Sequence, residues 1–128
     1  MMKTLVIKED ESTPKIILDK ENNKFEIEGI SLPEDVFTFY APVFDWIQDY
    51  LKEPNLSSEL NIKLSYFNTS SSKVILDILS MFDELTEKGL MVSTSWHYLE
   101  MDDDMLATGK EFKSMLKMPF NFIPYMSQ

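Results

Sequence analysis

The chain has 128 residues, the size of one domain with one core. Its 22 Asp and Glu outnumber 12 Lys, and it has no Arg; the net charge of −10 argues against nucleic acid and against an anionic membrane surface, since both need a basic face. With no Cys, disulfides, thiolate catalysis and Cys-ligated zinc are excluded.

No apolar run approaches the roughly 20 residues that span a bilayer. The first residues, Met1 to Asp10, join a short apolar core to early acids, unlike an export signal. The expected location is the cytoplasm. The acidic balance suits a partner with a basic patch, whose approach it would steer, and equally suits plain solubility.

Thr4 to Lys8 predicts a short strand, and Lys15 to Asp19 and Lys24 to Glu28 predict two more. Lys20-Glu21-Asn22-Asn23 joins the latter pair as a hairpin, because Asn tolerates the left-handed conformation. Gly29 is expected to end this sheet segment. Ser31-Leu32-Pro33-Glu34 has the spacing of a capping box with Pro in the first turn. The helix that follows carries Val36, Tyr40, Val43, Ile47 and Tyr50 on one stripe, broadened by Phe37, Phe44 and Leu51, and stops at Pro54-Asn55. Leu60, Ile62, Leu64 and Tyr66 alternate with polar residues as in a strand. A second helix runs from about Thr69 to Lys88 with Ile75, Ile78, Phe82 and Leu85 inward, and Gly89 stops it. Met91 to Leu99 is a strand with Val92, Thr94, Trp96 and Tyr98 on one face and His97 on the other. Asp102, Asp103 and Asp104 favour the start of a third helix through its dipole, with Met105, Leu106, Phe112, Met115 and Leu116 apolar. Phe120 to Tyr125 is a last strand. The fold class is α/β: a single domain, residues 1–128, with a mixed sheet of about six strands and three helices. The first half is antiparallel and the second is built from parallel crossovers.

Catalytic constellations are sparse. His97 is the one histidine and lies mid-strand, which suits a structural or surface role better than a general base. Asp102-Asp103-Asp104 lacks the Gly and closing Glu of a calcium loop and reads as a helix-start cluster. Gly29, Gly89 and Gly109 form no phosphate-cradling loop. No cofactor and no metal is expected. A small acidic hydrolase or ligand-binding domain with a carboxylate site stays as the alternative, although no pair of carboxylates stands out.

The stretch Tyr66-Phe67-Asn68-Thr69-Ser70-Ser71-Ser72-Lys73 sits where a strand passes into a helix. A helix start has unpaired N–H groups and a partial positive charge, so it can hold a phosphate, bound or attached to a hydroxyl. Two readings apply. One is an N-cap followed by serines tolerated in a first turn; the other is a modification site, since one cap needs one polar side chain and four hydroxyls stand here. On the second reading, Asn68 to Ser72 are solvent-accessible.

In order and spacing the sequence resembles the SiaC family of bacterial regulatory phosphoproteins. The resemblance rests on Thr13-Pro14-Lys15-Ile16, Gly29-Ile30-Ser31-Leu32-Pro33-Glu34, Phe39-Tyr40-Ala41-Pro42 and Trp46. The Tyr66 to Lys73 block is its most specific part; Trp96-His97-Tyr98, Asp103-Asp104-Met105, Gly109 and Pro119-Phe120 complete it. The resemblance implies a fold similar to the anti-sigma-factor-antagonist (STAS-like) domains and a non-enzymatic switch. It implies a dedicated protein kinase that phosphorylates one threonine and a PP2C-type phosphatase that removes the group. It further implies an unphosphorylated form that binds a diguanylate cyclase, in cyclic-di-GMP signalling linked to biofilm. By position the acceptor is Thr69, with Asn68, Ser70, Ser71, Ser72 and Lys73 supporting the phosphosite or docking.

Overall fold

The computed structural model describes residues 2–126. Three strands, β1 (Leu5–Ile7), β2 (Lys15–Asp19) and β3 (Lys24–Ser31), form an antiparallel meander. The β2–β3 turn places Asn23 at a φ of 54°, the left-handed conformation its short polar side chain tolerates. After β3 the chain alternates: α1 (Val36–Lys52), β4 (Ser57–Phe67), α2 (Thr69–Glu87), β5 (Met91–Leu99), α3 (Asp103–Ser114) and β6 (Phe120–Tyr125). The six strands lie in chain order, and β3 to β6 are parallel neighbours. Right-handed crossovers that all step in one direction put the three helices on one face.

Period-two alternation does the rest. Ile16, Leu18, Phe25, Ile27, Leu60, Ile62, Leu64, Val92 and Trp96 turn to the helices and are buried. From the helices, Tyr40, Val43, Ile47 and Tyr50 of α1 and Ile75, Ile78, Phe82 and Leu85 of α2 meet them. Phe25 contacts the rings of Trp46, Tyr50 and Phe82 at centroid distances of 6.0, 5.1 and 5.5 Å. The opposite face is open and polar, and its side chains satisfy one another. Lys15 pairs with Glu28 at 3.2 Å, Ser95 donates to Glu59 at 2.7 Å, Asn61 bonds His97 at 3.0 Å, and the Lys63 ammonium sits 4.6 Å above the Tyr125 ring.

Five expectations about the elements need correction. Gly29 does not end β3; at a φ of 122°, a conformation glycine alone adopts readily, it carries the strand on to Ser31. Ser31 is not the cap of α1. It pairs with Phe67 in the sheet and is fully buried, so Asp35 caps the helix, accepting the Thr38 N–H at 3.1 Å, and Pro33 lies ahead of the first turn. Phe37, 71% exposed, leaves the apolar face of α1, and Met115, 53% exposed, leaves that of α3. Tyr66 does not continue the inward stripe of β4. Gly29 pairs with Leu64 but Ile30 pairs with Tyr66, so Ser65 is an extra residue and the alternation inverts beyond it.

Candidate functional site

The inversion at Ser65 decides how the chain enters α2. Tyr66 turns out to solvent, and Phe67 turns in, its ring edge-on to Trp96 at 6.4 Å. Asn68 then takes an extended conformation, φ −84° and ψ 177°, and caps the helix. Its side-chain oxygen accepts the Ser71 N–H at 2.9 Å and the Ser70 hydroxyl at 3.1 Å, while its carbonyl accepts the Ser72 N–H at 2.9 Å. The N–H groups of Thr69 and Ser70 have no acceptor among the described residues. They point out of a nineteen-residue helix whose first turn has no acidic side chain.

The hydroxyls do not share one environment. Thr69 and Ser70 are exposed, and Ser72 is half-buried. Ser71 is fully buried, which corrects the expectation that the whole block is open to solvent. Successive helical residues are rotated by about 100°, so Ser71 points almost opposite to Thr69. The Ser71 oxygen accepts the Ser31 hydroxyl at 2.9 Å, and the Ser31 oxygen lies 2.6 Å from the Tyr40 hydroxyl. Burial pushes the Tyr40 phenol up to about 12, against the opposing effect of its bond to Ser31, so it stays protonated at neutral pH. Lys73 is exposed one turn beyond Thr69 on the same side of the helix.

This corner lies at the carboxyl ends of the parallel strands, where α1, α2 and α3 all begin. Exposed apolar side chains gather at that end: Leu32 after β3, Phe37 in the first turn of α1, Tyr66 at the end of β4 and Met101 between β5 and α3. A hollow of about 280 Å³ separates Ser65, Tyr66 and Phe67 from Asp102, Asp104, Met105 and Thr108. Asp102 is committed to capping α3, accepting the Met105 N–H at 3.0 Å. α3 itself is fastened by Trp96, whose Nε1–H donates to the Met105 carbonyl at 3.0 Å.

His97 points to the open face, as the alternation predicts, and Trp96 is buried on the other. Its pKa is held below the usual 6.5, first by desolvation and then by the Lys63 charge. Glu59 opposes this shift most among the carboxylates, followed by Glu28 and Glu26, which line the same hollow as His97 and are engaged by Lys15 at 3.2 Å and Lys24 at 3.9 Å.

Comparison with known proteins agrees with this architecture. The profile of the SiaC family regulatory phosphoproteins matches residues 7–125. An uncharacterized protein of Pseudomonas aeruginosa strain UCBPP-PA14 is 33% identical over 119 residues, 93% of this chain and 94% of the relative. Apo-SiaC from Pseudomonas aeruginosa is 32% identical with a TM-score of 0.86, covering 95% of this chain and 99% of that one. In the crystal structure of the diguanylate cyclase SiaD with its activator SiaC, from the same organism, the matching chain is 31% identical with a TM-score of 0.89, over 94% of this chain and 99% of that one. The chain belongs to the SiaC family of regulatory phosphoproteins, and is a regulator rather than an enzyme.

Proposed function

We propose that this protein is a single-domain cytoplasmic signalling switch, phosphorylated on Thr69 by a partner kinase and dephosphorylated by a PP2C-type phosphatase. Its unphosphorylated form binds and regulates an effector such as a diguanylate cyclase. One observation carries the reading: Thr69 is the first residue of α2, exposed, beside two N–H groups without acceptors and at the end where Leu32, Phe37, Tyr66 and Met101 are exposed. A phosphoryl group here adds about −1.5 to −2 charge to a surface otherwise suited to apolar contact, while the helix dipole and open N–H groups stabilise it in place. The likeness to SiaC bound to the cyclase SiaD supports the choice of effector class. Lys73 tunes the phosphate with an exposed pair worth about 0–1 kcal/mol.

Protein purified from its native cell, weighed intact with and without phosphatase treatment, should carry one removable phosphoryl group on Thr69. Thr69→Ala should lose it and still capture the effector. Undiminished phosphate in Thr69→Ala would move the acceptor to another hydroxyl, and weakened capture by unphosphorylated Thr69→Ala would make Thr69 a docking contact in its own right.

A further inference from the structure

The hydroxyls of Tyr40, Ser31 and Ser71 form a buried chain that joins three elements at one point. Tyr40 and Ser31 are 2.6 Å apart, and Ser31 donates to Ser71 at 2.9 Å. All three residues are fully buried, at 0% exposure. The chain links α1, the last residue of β3 and the first turn of α2, across 40 residues of sequence. It lies on the buried side of the turn that exposes Thr69, and none of its members is open to a kinase.

We propose that this chain selects the phospho-acceptor, an inference that rests on the reading of Thr69 as the switch residue. Four consecutive hydroxyls leave the choice open chemically, since Thr69, Ser70, Ser71 and Ser72 could each accept a phosphoryl group. What distinguishes them is the rotation of the first turn about the helix axis. The Ser31 bond fixes Ser71 inward, and the ~100° step per residue then aims Thr69 outward, about 200° away. The Asn68 cap fixes the height of the turn along the axis; the hydroxyl chain fixes its rotation. Without the chain, Ser71 has no buried partner to hold it. A frayed first turn then offers several hydroxyls in place of one. The protonated Tyr40 is suited to the far end, because it donates into the chain throughout the neutral range.

Ser71→Ala, Ser31→Ala and Tyr40→Phe each remove one hydroxyl, and Tyr40→Phe keeps the ring in the core. Each variant is produced as the full chain in its native cell, and the phosphate is located by fragmentation mass spectrometry. Amide hydrogen exchange of Ser71 and Ser72 is measured on dephosphorylated protein. Wild type should carry phosphate on Thr69 alone. In Ser31→Ala, which leaves Ser71 without its partner, a measurable share should move to Ser70, Ser71 or Ser72; Tyr40→Phe keeps the Ser31 hydroxyl but frees it to turn, so the share there should be smaller. Exchange at residues 71 and 72 should quicken at least about tenfold in Ser31→Ala and Ser71→Ala and less in Tyr40→Phe, while the α2 interior, from Ile75 to Leu85, stays protected in all three. Phosphate confined to Thr69 in every variant, or unchanged exchange in the first turn, overturns the selection and leaves the switch reading standing. Wild type with no phosphate on this block overturns the switch reading and the selection with it. A general loss of protection throughout α2 would make the chain a global brace and would also overturn the selection.

Discussion

Thr69 and Asn68 are adjacent and do separable work. Asn68 caps α2 through its side chain, and Thr69 makes no side-chain bond among the described residues. Thr69→Ala should therefore keep stability within about 0.5 kcal/mol of wild type, whereas Asn68→Ala should lose about 0.5–2 kcal/mol. Urea denaturation separates the two, and equal losses would mean that the Thr69 hydroxyl shares the capping. His97 gives a pH signature of its own. Its folded pKa lies below the unfolded 6.5, so the unfolded chain binds the extra proton first. Stability should be fully present above about pH 6.5 and fall as the pH drops through that region toward the folded value. Lys63 deepens this loss, and Glu59, Glu28 and Glu26 moderate it. His97→Gln keeps a partner for Asn61 without titrating, so its denaturation midpoint should be flatter between pH 7 and 5, with effector capture unchanged. The carboxylates of Asp10, Asp19 and Asp35, held below 3.8 by local hydrogen bonds, act in a separate window at lower pH. A midpoint that falls equally in His97→Gln would assign the loss to other groups.

At the scale of elements, the sequence is most readable where one face decides. All six strands and three helices follow from apolar period, and β5 and β6 match residue for residue. Legibility fails where a choice depends on distant partners. Ser31-Leu32-Pro33-Glu34 has the spacing of a capping box, but Tyr40 and Ser71 draw Ser31 into the core instead. The extra residue at Ser65 leaves no trace in the alternation, because the pattern inverts only against the neighbouring strand. Four hydroxyls in a row look alike until the sheet buries one of them. Met118 is another such case: it is buried beneath β5, with its sulfur accepting the Thr94 hydroxyl at 3.1 Å. Gly109 shows how closely these elements are fitted. A Cβ there would lie 2.6 Å from Trp96 ring atoms, and that ring is 1% exposed and tied to Met105. The ring has little room to retreat, so overpacking of about 1–3 kcal/mol should outweigh the ~1 kcal/mol that alanine brings to a helix. Gly89 is the contrast, with open space around it but a φ of +75°. Gly89→Ala should cost about 1–2 kcal/mol from backbone strain alone. Near-ultraviolet dichroism of the folded state distinguishes the mechanisms: Gly109→Ala should alter the tryptophan bands and Gly89→Ala should not. Unchanged bands in a destabilised Gly109→Ala would mean that the helix moves and the ring does not.

For the whole molecule, one phosphoryl group is a small addition to a net charge of −10. At most it makes the protein about a fifth more negative, with about −1.5 to −2 units added. Long-range repulsion is therefore a weak basis for a switch, and solvent ions reduce it further, with a Debye length of about 10 Å at 0.1 M salt. The local effect is stronger. Docking through Leu32, Phe37, Tyr66 and Met101 would take the phosphate at Thr69 out of water, and burying a dianion whose neighbouring cation in α2, Lys73, is itself exposed costs far more than screened repulsion at a distance. The two mechanisms differ in salt dependence. If exclusion is local, the phosphorylated protein should still fail to bind its effector at 0.5 M NaCl. Recovery of half or more of the unphosphorylated affinity at that salt would assign the switch to repulsion between the two surfaces. Thr69→Asp extends the test, because it brings about one charge and two oxygens in place of the dianion and its three. Its smaller desolvation cost should leave an affinity between the two wild-type forms, equally insensitive to salt. Titration of the effector against unphosphorylated, phosphorylated and Thr69→Asp protein at 0.05 and 0.5 M salt reads both effects, and an aspartate variant that binds like wild type would show that shape and the third oxygen, beyond charge, are needed to close the site.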